Sequence, residues 1–457
     1  MTKLRLAIVG AGPAGIYAAD ILLKAERQFD VSIDLFEQLP APYGLVRYGV
    51  APDHPRIKGV ITALREVLDR GDIRIFGNVN FGTDITLDDL KQHYHAVIFA
   101  TGAIRDADLD VPGIDAHGSY GAADFVSWFD GHPDVPREWP LEAESVAVIG
   151  NGNVALDITR MLAKHADDLL PTEVPDNVYQ GLKASPVTDV HVFGRRGPAQ
   201  VKFTPLELRE LGELRDVDMV VYDEDFDYDE ASKAAIETNK QVKVIDRVLQ
   251  QWRTRPSVNN AGGEASRRLH LHFWAKPLEV VTDDEGRVAA IRYERTKPDA
   301  EAGVVGTGEI REIPIQAIYR AVGYFGSPLK DVPFDERHGV IPNHEGQVIS
   351  ADSNSRVPGL YATGWIKRGP VGLIGHTKSD AMETVRHLIN DQGQWWQPAH
   401  PEEEAIPALL AERGVRWTDL DGWHRLDEHE MALGAPHERA RIKVVPRDEM
   451  IAISRGE

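Results

Sequence analysis

The chain has 457 residues, 42% of them apolar and 27% charged, with 40 glycines and 28 prolines. That length holds two large domains or three smaller ones, and the composition is that of a globular protein rather than a disordered or fibrous one. The 51 basic and 72 acidic side chains leave a net charge of −21, which disfavours nucleic acid and anionic membranes as partners, and the absence of cysteine excludes disulfides, thiol nucleophiles and Cys-ligated zinc or iron–sulfur clusters.

No stretch approaches the roughly 18 to 20 apolar residues of a membrane span. Lys3 and Arg5 lead directly into an apolar strand, with no signal-peptide pattern. No membrane insertion, no metal site and a cytoplasmic location are expected. Redox chemistry in a chain without cysteine must use a bound cofactor.

Leu4 to Val9 is an apolar run of strand length, followed by Gly10-Ala11-Gly12-Pro13-Ala14-Gly15 and a helical run from Ile16 to Leu23. This is strand, G-x-G-x-x-G, helix. The first glycine permits the tight turn, the second lets a pyrophosphate approach the backbone, and the third lets helix and strand pack closely. A second strand, Val31 to Phe36, ends at Glu37, 22 positions beyond Gly15 and placed to accept hydrogen bonds from an adenosine ribose. His95 to Ala103 reads as a further strand ending in Ala-Thr-Gly.

The same grammar returns about 140 residues later. Val146 to Ile149 is a strand, and Gly150-Asn151-Gly152-Asn153-Val154-Ala155 leads into a helix. Here the next strand, Val190 to Phe193, ends in Arg195 and Arg196 instead of an acidic residue, which favours the 2′-phosphate of NADPH. Two sites of different ribose chemistry predict two nucleotides, FAD at Glu37 and NADPH at the arginine pair, with hydride transfer between them.

Thr204, Pro205 and Glu207 read as a capping box opening a helix, with Glu210 one turn on and on the same face. Asp223 to Glu230 reads as an acidic loop, Ala231 to Trp252 as one helix, 259–268 as exposed, and Asp283 to Glu309 as turns. Gly359 to Trp365 repeats the Ala-Thr-Gly ending. The FAD half is therefore expected to be built from both ends of the chain, residues 1–104 and 323–457, around an inserted NADP half, 105–322. Trp395, Trp396, Trp417 and Trp423 are expected to pack a tail onto its own domain.

Six segments resemble the adrenodoxin-reductase-like family of NADPH–ferredoxin reductases: the GAGPAG turn, PAPYGLVRYGVAPDHPRIK (40–58), FGNV (76–79), GNGNVALD (150–157), GRRGPAQVKFTPLELREL (194–211) and ATGWIKRGPVGLIG (362–375). The resemblance implies an α/β flavoprotein of glutathione-reductase-like type with two Rossmann-like domains, the NADP domain inserted in the FAD domain. It implies tightly bound FAD, hydride from NADPH, and single electrons passed to an iron–sulfur ferredoxin, with a cytochrome P450 system or biosynthetic iron–sulfur chemistry downstream.

By resemblance Leu45 lies near the flavin nucleotide, His54 beside the ring with Glu210 as its partner, and Glu207 at the NADP site. Phe81, just beyond FGNV, counts among the cofactor-binding residues. Trp365 and Gly372 lie near the flavin ring, and Gly372-Leu373-Ile374-Gly375 offers N–H groups ahead of a helix expected near Thr377. One departure is Ala107, where family members often carry an arginine that touches NADP; Arg105 is the nearest substitute.

Lys202, Arg209, Lys243 and Arg247 are candidate basic contacts for an acidic ferredoxin. Disulfide reductases and the small subunit of glutamate synthase need cysteines this chain lacks. A flavin monooxygenase remains as an alternative, although its F-x-G-x-x-x-H segment is not found, as does a non-catalytic nucleotide-binding redox sensor.

Overall fold

The computed structural model describes residues 3–254, 265–299, 303–372 and 374–457. Lys3–Val9 forms the heart of a seven-stranded sheet, flanked in parallel by Asp30–Glu37 and Ala96–Phe99. Ile73–Gly77 extends it on one side and Arg356–Ala362 on the other, also in parallel. Helices cover both faces of such a sheet, so its strands read as continuous apolar runs rather than alternating ones. The exception, Arg5, is buried but paired: it donates to Asp34 at 2.7 Å and lies over the Tyr94 ring.

A second, six-stranded parallel sheet has the order Ser119–Gly121, Ala317–Arg320, Ser145–Ile149, Asp189–Phe193, Arg267–His272 and Val217–Val221. Its strands all lie between residues 119 and 320, and those of the first sheet all lie outside that stretch. The chain leaves the first sheet through Arg105–Asp106 and returns through Tyr324–Phe325, two short strands that pair antiparallel. The fold is thus the two-nucleotide α/β architecture expected, with one Rossmann-like unit inserted in the other.

Three local expectations need correction. The stretch expected as turns, Asp283 to Glu309, instead contributes to an antiparallel sheet of Ala275–Thr282, Val288–Pro298 and Val304–Pro314. Alternation in Val288-Ala-Ala-Ile-Arg-Tyr-Glu-Arg outweighs the charge content, because one face packs on the six-stranded sheet while the other stays in water. The single helix expected from Ala231 to Trp252 is two, Glu230–Thr238 and Lys240–Thr254. Asn239 breaks it, its side chain accepting from the Gln241 N–H at 2.9 Å. Glu230 belongs to the first of these helices, and Asp223–Phe226 of the acidic loop is a 3-10 turn. Residues 259–264 of the stretch expected to be exposed lie outside the described residues.

The tail tryptophans do pack inward: Trp395 on Phe29, Trp417 on Phe76, Trp423 on Tyr43, and Trp396 against Gly359.

A stack of imidazoles lies where the six-stranded sheet meets the antiparallel one. The rings of His191 and His270 are 4.3 Å apart, His272 stacks on Phe193 at 4.7 Å, and His191 Nδ1 bonds His272 Nε2 at 2.9 Å. Burial pushes all three pKa values down, His191 to about 3. The folded state therefore binds fewer protons than the unfolded chain below an ordinary histidine pKa, and its stability falls as pH drops from about 6.5 toward 3. His191 alone should cost about 2 kcal/mol between pH 7.5 and pH 5. Urea midpoints across that range should fall less in His191→Gln, which retains a hydrogen-bonding side chain; equal slopes would remove His191 from the cause.

Candidate active site

The first strand ends in a turn that only glycine fits. Gly10 has φ +112°, and a Cβ there would lie 2.4 Å from the Ala100 carbonyl oxygen. The Pro13–Lys24 helix follows, preceded by Gly12 with no side-chain cap, so its first N–H groups are left for an anion. Gly15 packs directly on Gly10, where a Cβ would overlap the carbonyl oxygen.

Glu37 ends the adjacent strand and accepts from the Ala11 N–H at 2.9 Å and the Leu39 N–H at 3.1 Å. Burial raises its pKa against those bonds. The carboxylate keeps an acceptor site for a ribose hydroxyl.

Two distant segments close on this turn. At Gly44, φ +50°, a Cβ would stand 3.1 Å from Gly12 Cα; at Gly364, φ +76°, it would stand 2.6 Å from the Ala14 side chain. Leu45 opens the short Leu45–Tyr48 helix from one of them and Trp365 opens Trp365–Arg368 from the other. Phe81 packs edge-on against Phe99 at 5.4 Å, at the end of a neighbouring strand. The helix expected near Thr377 begins earlier, at Ile374, because Gly375 falls in its first turn, where no intrahelical N–H bond is required. Gly372 precedes it with φ +89° and is exposed, while Leu373 lies outside the described residues.

The second turn repeats the first. Gly150 has φ +149°, and a Cβ would lie 2.2 Å from the Ala321 carbonyl oxygen. Gly152 precedes the Asn153–Ala163 helix without a side-chain cap, and nothing lies within 4 Å of where its Cβ would be. Asn151 packs under Gly194, Asn153 accepts from the Thr204 N–H at 2.8 Å, and Val154 is half-buried in the first turn. Arg195 and Arg196 stand on a loop anchored through its backbone, Thr296 Oγ1 donating to the Arg195 carbonyl and Trp274 N–H to that of Arg196. Among the described residues neither guanidinium has a carboxylate partner, and Arg195 is exposed. Open helix N-termini at both turns, and this unpaired cationic pair, fit two dinucleotides.

Between the turns lies a buried charged cluster. His54 follows Asp53 in a loop of the first sheet's domain and is 4% exposed. Its Nδ1 is 3.2 Å from Glu210, as expected, and its Nε2 is 2.9 Å from Asp157 and 3.3 Å from Glu207. Burial opposes charge on the ring, but the hydrogen bonds to Asp157 and Glu207 prevail and raise His54 to about 10, so it is an imidazolium at neutral pH. Burial also raises Glu210.

The capping box at Thr204 is only half formed. Thr204 Oγ1 accepts from the Glu207 N–H at 3.4 Å, but the Glu207 carboxylate turns inward to His54 instead of back to Thr204. A buried cation offers more than an exposed cap. Asp53, Asp157, Arg160 and Lys164 belong to the same cluster and escape the sequence reading. Only the spacing of Asp157 and Arg160, three apart on the helix after the second glycine turn, hinted at them.

The family described as "Pyridine nucleotide-disulphide oxidoreductase" matches residues 4–192. The chain is 37% identical to the NADPH-ferredoxin reductase FprA of Mycobacterium tuberculosis, covering all of both chains, and 34% identical to the mitochondrial NADPH:adrenodoxin oxidoreductase of Arabidopsis thaliana, covering 98% of this chain and 95% of that one. The solved structure of M. tuberculosis FprA in complex with NADPH superposes with a TM-score of 0.89 at 36% identity, covering 99% of this chain and 100% of the other. The chain therefore belongs to the adrenodoxin-reductase-like family of NADPH–ferredoxin reductases.

Proposed function

We propose that this chain is an FAD-dependent NADPH–ferredoxin reductase of the ferredoxin–NADP⁺ reductase type, with residues 1–104 and 323–457 binding FAD and 105–322 binding NADP. The observation that carries this reading is the pair of open glycine turns, one on each of the two large sheets, with the His54 cluster between them. The two nucleotides, when bound, supply the redox chemistry: hydride from NADPH to the flavin, then single electrons to an iron–sulfur ferredoxin.

The residues divide the remaining work. Gly10, Gly12, Ala14 and Gly15 receive the FAD pyrophosphate and Glu37 its ribose, with Leu45, Phe81, Trp365, Gly372, Leu373 and Ile374 around the rest of the flavin nucleotide. Gly150, Asn151, Gly152, Asn153 and Val154 receive the NADPH pyrophosphate, and Arg195 and Arg196 its 2′-phosphate. His54, paired with Glu207 and Glu210, sets the field at the meeting of flavin and nicotinamide. No proton from His54 is needed for hydride transfer, so its replacement should moderate the rate rather than abolish it.

Lys202, Arg209, Lys243 and Arg247 are exposed and, among the described residues, not ion-paired, which supports their use in docking an acidic ferredoxin. Delivery onward to a cytochrome P450 and a cytoplasmic location belong to the same proposal; among the described residues no helix is long and apolar enough to cross a membrane.

The test is anaerobic reduction of the yellow protein by NADPH and by NADH, followed by cytochrome c reduction with and without ferredoxin. Replacing Arg195 and Arg196 together by alanine should raise KM for NADPH about 30-fold, the value of one or two charge-assisted hydrogen bonds, and leave NADH almost unaffected. An unchanged NADPH constant would take the pair out of the site.

A further inference from the structure

Three carboxylates surround the His54 ring, Asp157 from the Asn153–Ala163 helix and Glu207 and Glu210 from Pro205–Gly212, and a fourth, Asp53, precedes it in the chain and pairs with Arg160. Two cations offset them. Lys164 reaches Asp53, at 2.6 Å. Arg160, 1% exposed, reaches every member of the cluster's core. Its fork grips Asp53 at 2.8 and 2.9 Å, and Nη2 donates to Asp157 at 2.8 Å. Nη1 lies 3.6 Å from Glu207 and 3.7 Å from Glu210 and makes no hydrogen bond.

Arg160 Nη2 and His54 Nε2 stand 2.6 Å apart. Both nitrogens also reach the same Asp157 oxygen, at 2.9 Å from His54 and 2.8 Å from Arg160. Arg160 also spans the two sheets' domains: it stands on the helix that starts at the Gly150–Gly152 turn and grips the loop carrying His54.

We propose that Arg160 is a positioning residue for hydride transfer, holding His54, Glu207 and Glu210 in register with the nucleotide helix and limiting the negative charge the two glutamates present there. The inference rests on the flavin and NADPH reading above. Loss of bound flavin or of NADPH affinity in the wild-type protein would count against that reading, whereas the comparison of variants below bears on Arg160 alone.

With Arg160 gone, the four carboxylates face only His54 and Lys164, and Glu210, already raised by burial, loses a cation that favours its charged form. In stopped-flow reduction by NADPH from about pH 4.5 to 9.5, Arg160→Gln should lose about tenfold in rate and move the Glu210 inflection up by about one unit, with the NADPH dissociation constant changed less than about threefold. Arg160→Lys keeps the charge but not the fork. Its inflection should stay within about 0.3 unit of wild type while its rate still falls. A wild-type rate and profile in both variants, with only thermal stability lowered, would overturn the proposal, as would a rise in the dissociation constant alone. Should Arg160→Gln not fold, Arg160→Lys decides: a reduced rate at unchanged affinity sustains the role, and a wild-type rate ends it.

Discussion

Gly150→Ala is expected to give a yellow protein that NADPH no longer bleaches. The added Cβ would lie 2.2 Å from the Ala321 oxygen and 2.9 Å from its carbonyl carbon, both backbone atoms, at φ +149°. Ala321 cannot retreat cheaply, because its N–H bonds the Ile149 carbonyl at 2.8 Å in the same sheet. Strain of about 1–3 kcal/mol falls directly on the turn proposed to receive the NADPH pyrophosphate. A loss of about 100-fold in kcat/KM for NADPH corresponds to about 2.7 kcal/mol. The Gly10 turn, proposed for the flavin nucleotide, stands on the other sheet with its own core, so flavin content and reduction by dithionite should match wild type. Unimpaired reduction by NADPH would show that the turn yields more easily than its contacts imply.

Glu430→Gln should be the most destabilising single change outside the nucleotide turns, at about 3–5 kcal/mol. Glu430 is fully buried in the tail and takes both arms of Arg47, at 2.5 and 3.0 Å, in the segment just after Gly44. It also accepts from the Val444 N–H at 3.0 Å and lies 3.3 Å from Arg441. Neutralising it leaves the Arg47 charge buried between Tyr48 and Trp423 without its counter-ion. Urea denaturation should show the loss, and trypsin should cut faster after Arg439 and Arg441 as the tail loosens. Removing both charges, in Arg47→Met with Glu430→Leu, should recover much of the stability, since the cost lies in the orphaned charge rather than in the missing pair. A double variant no better than the single one would assign the loss to packing.

Much of the site was legible because its signals are local. The two glycine turns, Glu37, and the arginine pair each declare themselves within one strand–turn–helix unit, and the His54–Glu210 pairing came with the family resemblance. Glu207 shows where local reading stops. Its spacing from Thr204 spells a capping box, yet the carboxylate goes to a buried imidazolium on another domain. The Asp283 to Glu309 stretch fails for a related reason: glycines and charges read as turns unless the covering sheet that buries one face is known.

The amino-acid sequence by itself determined the two strand–glycine-turn–helix units and their order, because hydrophobic period and positive φ at glycine are properties of neighbouring positions. Tertiary structure alone decided which charges meet. Arg160 finds Asp53 across 107 positions, Arg47 finds Glu430 across 383, and Lys58 and Lys443 converge on Glu173 at 2.7 and 2.9 Å. A buried charge must have a partner, but the attraction acts over a few ångströms of space and leaves no trace in the spacing along the chain.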